Sequence, residues 1–228
     1  MKSYSLLFTL LIGFLLSAPA LEGQMNSETL SKLKLRNIGP ANMSGRIVDL
    51  AVVEKDPYTI YAASATGGVW KTTNNGITFK PVFQNEATHS VGAIAVHQEN
   101  PKYVWVGTGE RANRQSSGWG DGIYKSSDSG KTWTNVGLKE SHHIGRIVLH
   151  PQDTNHIYVA AMGHLWGPNE ERGLYESKDG GKNWTKILKG DKNTGVVDVA
   201  MDPSDPNILY AATYQRRRRP YGFDGGGP

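Results

Sequence analysis

Cysteine is absent from the 228 residues, which excludes a disulfide framework, a thiolate metal centre, a catalytic thiol and a lipidated cysteine behind a leader. Stability must come from packing. Helical periodicity is missing too. Past residue 30 no long stretch repeats apolar residues every three or four positions, and 38% hydrophobic content with Gly 27 and Pro 11 suits many strands and tight turns. No excess of one charge stands out. The formal charge of +4 includes Lys2 and the run Arg216–Arg219, outside which the signs balance, so no nucleic acid is expected as a partner. The apolar run Leu6–Leu16 is short for a membrane span. With Lys2 before it and Ala18-Pro19-Ala20 after it, Met1–Gln24 has the form of a secretory leader cleaved near residue 20, which predicts a secreted or periplasmic bacterial protein without a membrane span.

What is present is repetition. Thr72-Thr73-Asn74-Asn75-Gly76-Ile77-Thr78-Phe79, Ser126-Ser127-Asp128-Ser129-Gly130-Lys131-Thr132-Trp133 and Ser177-Lys178-Asp179-Gly180-Gly181-Lys182-Asn183-Trp184 all fit Ser/Thr-x-Asp/Asn-x-Gly-x-x-aromatic. A hydroxyl and a carboxylate or amide two residues apart serve backbone N–H groups, and glycine supplies a positive φ, so each box is a hairpin turn whose aromatic folds back under it. Thr72, Asn74, Gly76 and Phe79, Ser126, Asp128, Gly130 and Trp133, and Ser177, Asp179, Gly181 and Trp184 are therefore read as structural.

Four longer segments also superpose: 51–64, 95–108, 148–161 and 200–213. Their aromatic anchors Tyr61, Trp105, Tyr158 and Tyr210 lie 44, 53 and 52 residues apart, the period of four-stranded propeller blades. The fold class expected is all-β, a β-propeller with three complete blades and half of a fourth. The domain plan is a leader at 1–20, a linker at 21–34 and blades near 45–83, 90–137, 144–188 and 195–228, the last without its third strand, box and fourth strand. A part-ring leaves open strand edges, so a fragment of a larger propeller is expected, with the remaining blades as its partners.

The three boxes, the Gly-aromatic strands before them and the Asp-Pro-x-x-Ile-Tyr phrases resemble the Asp-box (BNR) propellers, in particular the sortilin/Vps10-like branch related to xyloglucanase-like glycosyl hydrolases. The resemblance spans residues 35–213 and implies a rim that binds protein or peptide first and polysaccharide second, with no cofactor. It also implies a competing function, glycoside hydrolysis by two separated aspartates. The first-blade phrase of such enzymes places its base directly before Gly-Gly, where this chain reads Ala63-Ser64-Ala65-Thr66-Gly67-Gly68. Alanine takes no proton, and the enzyme question stays open.

Variable lengths fall between second and third strands, at 65–68, 109–122 and 162–173, so that rim, opposite the boxes, is the expected working face. Trp119 and Trp166 are expected to stack on a ligand, with Arg111, Asp121, His164 and Arg216 as polar contacts. Glu110 is the weak catalytic candidate, more readily paired with Arg46 or Arg146. The seven histidines are spaced too widely for a compact centre, and no metal is expected.

Overall fold

The structure, a computed structural model, describes residues 45–227. The leader and linker expected before residue 35 lie outside them. Each blade is a meander of antiparallel strands. The first holds β1 (Ile47–Val52), β2 (Ile60–Ser64), β3 (Gly68–Thr72) and β4 (Lys80–Pro81). The second holds β5 (Val91–Val96), β6 (Val104–Thr108), β7 (Ile123–Ser126) and β8 (Thr134–Asn135), and the third holds β9 (Ile144–Leu149), β10 (Ile157–Ala161), β11 (Gly173–Ser177) and β12 (Thr185–Lys189). The fourth holds β13 (Thr194–Met201), β14 (Leu209–Arg219) and β15 (Gly222–Gly226). The inner strands β1, β5, β9 and β13 lie against one another in chain order, which makes the sheets radial. The fold is a β-propeller of four blades.

Crowding at the centre explains the glycine near the start of the second and third inner strands. A Cβ on Gly92 would collide with the Ile144 carbonyl and one on Gly145 with the Val197 carbonyl, so only glycine lets neighbouring inner strands approach this closely. Hydrophobic cores then fill the junctions. Tyr61, Val69 and Phe83 of the first blade meet Ile94, Val106 and Tyr124 of the second, and Trp105 and Ile123 meet Ile147, Val159 and Tyr175 of the third. Strands β6 and β10 are buried along their whole length, because both of their faces carry a neighbouring blade.

The boxes tie the junctions together. Ser126 Oγ donates to Asp128 Oδ1 at 2.8 Å and accepts from the Gly130 N–H at 2.8 Å. Asp128 in turn accepts the Thr132 N–H and hydroxyl at 2.9 and 2.6 Å. Ser177, Asp179, Gly181 and Asn183 repeat the pattern, and Asn74 substitutes an amide oxygen that accepts from Thr72 Oγ1 and the Thr78 N–H. The turn aims its aromatic backwards. Trp133 Nε1–H donates to the Val82 carbonyl at 2.7 Å and Trp184 Nε1–H to the Val136 carbonyl at 2.8 Å, each in the preceding blade. From the preceding blade, Tyr61 returns a bond from its hydroxyl to the Ser129 carbonyl at 3.0 Å. Phe79 has no N–H to offer and is 42% exposed, while Tyr210, with no following box against it, is 63% exposed.

Box tips also bond the turn between the first two strands of their own blade, Asn75 N to Tyr58 O at 3.1 Å, Ser129 N to Lys102 O at 2.9 Å and Gly180 N to Asn155 O at 2.9 Å. The second-to-third connections therefore lie at the other end, because antiparallel strands reverse at each turn.

The last unit departs from expectation. Arg216–Arg219 is not a rim loop but the end of β14, which turns at Pro220-Tyr221 and pairs with a third strand, β15. Cross-strand chemistry holds it: Arg218 lies 5.8 Å from the Phe223 ring centroid, and Arg219 is ion-paired with Asp224 at 2.7 Å. Arginines in place of β-branched residues hid this strand from the apolar pattern.

Two outcomes check the clips. Trp184→Ala is expected to lower stability by about 3 kcal/mol in urea unfolding, and Trp184→Phe, which keeps a ring but loses the N–H, by about 1 kcal/mol. Hydrogen bonds from Thr132 and Asn183 respectively hold the Asp128 and Asp179 carboxyls down at about 2, against roughly 3.9 in an unfolded chain. Their contribution is complete above pH ~4 and disappears as the pH falls to ~2. Asp128→Asn with Asp179→Asn, mimicking Asn74, should flatten the dependence of unfolding on pH across that interval.

Candidate functional site

At the end opposite the boxes, the link between the second and third blades makes a tight detour. A short 3-10 turn, Lys139–Ser141, is bounded by Leu138 at φ 55° and His142 at φ 56°, left-handed conformations unusual for residues other than glycine. Ser141 Oγ donates to the Leu138 carbonyl at 2.7 Å and keeps the turn closed. The detour sends successive histidines opposite ways. His142 stacks on His164 with ring centroids 3.6 Å apart, while His143 points inward and is 2% exposed.

Around them lies a cavity of about 190 Å³ walled by Trp119, Trp166, His142 and His164 and floored by His143 and Leu165. Trp119 is 65% and Trp166 48% exposed, so both indoles present faces to solvent. His143 is hydrogen-bonded through Nδ1 to the Glu110 carbonyl at 2.9 Å. Since a carbonyl only accepts, the proton is on Nδ1 and the lone pair on Nε2. Burial, then the positive charge of Arg216, holds the His143 imidazole well below its usual range. Burial and the neighbouring His164 lower that of His142 as well. Both rings are neutral at pH 7. A larger cavity, about 380 Å³, lies along the outer edge of the first blade against Trp133 and Val82, within the clip rather than on this rim.

Behind the pocket the polar residues serve the scaffold. Arg172, buried, donates to the carbonyls of Lys192 at 2.9 Å and Gly167 at 3.1 Å, and to those of Met162 and His164, drawing residues 162–172 around one guanidinium. Arg216, also buried, reaches from β14 to the Ala112 carbonyl at 2.9 Å, the Glu110 carbonyl at 3.2 Å and Asn113 Oδ1. Burial lowers both guanidiniums to about 10. Carbonyl oxygens, not carboxylates, are their bonded partners.

The residues expected on this face separate accordingly. Trp119, Trp166 and His164 come together. Arg111 instead spans the inner strands, donating to the carbonyls of Val48 in β1 and, at 3.4 Å, Gly145 in β9. Asp121 accepts from the Tyr124 hydroxyl at 2.7 Å within its own blade. Arg216 is interior, not a surface contact, because the chain it sits on is a strand facing the pocket floor. Glu110 is buried and ion-paired with the half-exposed Arg46 of the first blade, and Arg146 instead bonds Asp198 in the inner strand of the fourth at 2.8 Å. From sequence, His142 and His143 on the link between the second and third blades could be expected to face this rim, but no binding role was assigned to them. The doubled imidazole directly before an inner strand was the available signal.

Residues 121–222 match the model of the Sortilin-Vps10 family, described as sortilin, neurotensin receptor 3. A probable oligoxyloglucan-reducing end-specific xyloglucanase of Neosartorya fischeri is 32% identical over 139 residues, 56% of this chain and 15% of that protein. A xyloglucanase of Hypocrea jecorina is 25% identical over 190 residues, 75% of this chain and 21% of that protein. The chain is a propeller related to the sortilin–Vps10 family and the xyloglucanases. It spans well under a quarter of the length of these curated relatives. The solved structure of an ancestral GH74 enzyme superposes with a TM-score of 0.57 at 24% identity, covering 75% of this chain and 23% of that one, and shares the fold.

In this propeller, Ala65 is fully buried and donates its N–H to the Arg46 carbonyl at 2.9 Å, in the place where the resemblance implied a base. Among the described residues no carboxylate lines the 190 Å³ cavity. Arg216→Met should cost about 3 kcal/mol by urea unfolding, because it leaves the carbonyls of Glu110 and Ala112 buried without donors. Arg216→Lys should recover under half of that, since an ammonium cannot reproduce the planar fork.

Proposed function

We propose that the chain is an exported recognition module whose rim pocket holds a carbohydrate ring between Trp119 and Trp166. The observation that carries this reading is the pair of half-exposed indoles, from loops of neighbouring blades, standing over one small cavity. A pyranose has an apolar face that stacks on an indole and a rim of hydroxyls that needs acceptors and donors. His143 Nε2 supplies an acceptor on the floor, and neutral His142 supplies one donor and one acceptor. The relatives named as xyloglucanases favour a polysaccharide over a peptide as the first ligand class to test. Export rests on the leader read in Met1–Gln24. Among the described residues no helix is long and apolar enough to cross a membrane.

Recognition without hydrolysis is the better reading for these residues. An inverting glycosidase needs an acid and a base separated by roughly 6.5–9.5 Å. Ala65 cannot be one, and Glu110 is closed off by its ion pair with Arg46. Hydrolysis would require carboxylates from elsewhere in a longer chain.

The full chain should be retained on a xyloglucan or related β-glucan matrix without releasing reducing ends. Trp119→Ala and Trp166→Ala should each weaken binding by about tenfold, a loss of roughly 1.4 kcal/mol, with melting temperature unchanged because both rings are exposed. Retention that survives the double variant, or capture of peptides alone, would refute the carbohydrate assignment.

A further inference from the structure

The same corner of the rim holds a donor set that ring stacking does not use. Glu140, His142 and His164 each offer one ligand atom, and these atoms lie within 4.8 Å of one another. They come from the 3-10 turn and from the third-blade loop, separate segments that only the fold brings together. Widely spaced histidines had argued against a metal. That argument fails because the fold returns the third-blade loop to the turn that enters the same blade, so distance along the chain says little about distance across the rim.

Protonation favours coordination. His164 Nε2 lies 2.9 Å from the Glu140 carbonyl and must be the donor, which leaves the Nδ1 lone pair free. His143, with Nδ1–H committed to the Glu110 carbonyl, likewise keeps a lone pair on Nε2. Anchoring one ring nitrogen on a backbone carbonyl is the outer contact that orients imidazole ligands in metal centres. His143 is a second and independent pointer. It is 2% exposed and lines the cavity, and no described residue bonds its Nε2. A lone pair on a residue that lines an accessible cavity suits an ion or its bound water.

We propose that Glu140, His142 and His164 bind one divalent transition-metal ion, with His143 Nε2 on the cavity side and the remaining coordination open between Trp119 and Trp166. A set of imidazoles with one carboxylate selects zinc, copper or nickel over magnesium and calcium. Three protein ligands and an open position are the arrangement of accessible zinc sites. As they stand, the His142 and His164 planes are only 20° from parallel with centroids 3.6 Å apart, so their in-plane lone pairs do not both aim at one ion. Binding turns the His142 ring, which no side-chain hydrogen bond restrains among the described residues, until the lone pairs converge.

The test is titration of the metal-free full chain with zinc chloride at neutral pH by calorimetry, with no sugar present, so it succeeds or fails independently of the carbohydrate reading. One zinc per chain is expected. His142→Ala and His164→Ala should each weaken it by more than about 100-fold and Glu140→Gln by about tenfold. His150→Gln and His156→Gln, altering the stacked pair on the box side of the third blade, should leave it unchanged. Matching melting curves of the metal-free variants would show that lost binding is not lost folding. On the wild type alone, copper(II) paramagnetic resonance should show hyperfine coupling to at least two imidazole nitrogens. Zinc uptake no greater in the wild type than in the His142→Ala, His164→Ala double variant, or a copper spectrum without imidazole coupling, would overturn the proposal.

Discussion

The interaction on which the rest depends is the indole N–H that leaves one blade and ends on a carbonyl of the blade before it. A sheet of four short strands buries too little surface to be stable alone, so each must find its core in a neighbour. Trp133 to Val82 and Trp184 to Val136 set the distance at which it does so. The hydroxyl, carboxylate and glycine of each box exist to aim that ring. Asn74 in the first box does the same with a neutral oxygen, which locates the requirement in the acceptor rather than the charge.

With the boxes occupied in clipping, the opposite end is released for other chemistry. Its loops are long and polar, and polar loops of this length do not hold themselves in place. Here they are organised from within by two buried guanidiniums. Arg172 gathers one loop, while Arg216 crosses from the fourth blade to the second and binds the carbonyls on either side of Arg111. Planarity and five donors allow one side chain to satisfy several carbonyls at once. The cost is a charge held in low dielectric, seen in the lowered pKa of both groups. Burial, and after it the positive charge of Arg216, keeps His143 neutral, so scaffold and pocket are coupled electrostatically as well as mechanically.

Much of the propeller was legible in the chain because it repeats. Tyr61, Trp105 and Tyr158 mark equivalent strands, and a residue type recurring at a blade period needs no tertiary information to be assigned to the core. The rim was legible only in outline. Trp119 and Trp166 announced themselves as large rings among polar residues, whereas Arg111 and Asp121 looked like ligands and serve the framework. Nothing local separates an arginine that faces solvent from one that bonds carbonyls a hundred residues away. The third strand's partner in the fourth unit is hidden for a related reason: in β14 the one buried side chain is Arg216, so the strand shows no apolar face.

The sequence by itself determined the strand order, the box turns and the end at which variable loops emerge, because these follow from short-range hydrogen bonding and a repeated period. Only the tertiary structure decided which side chains meet at the rim. His142 and His164 are 22 positions apart in the chain, yet their rings stack at 3.6 Å. That contact depends on how the link entering the third blade folds against the long loop of that blade, a tertiary arrangement that the repeat pattern does not encode.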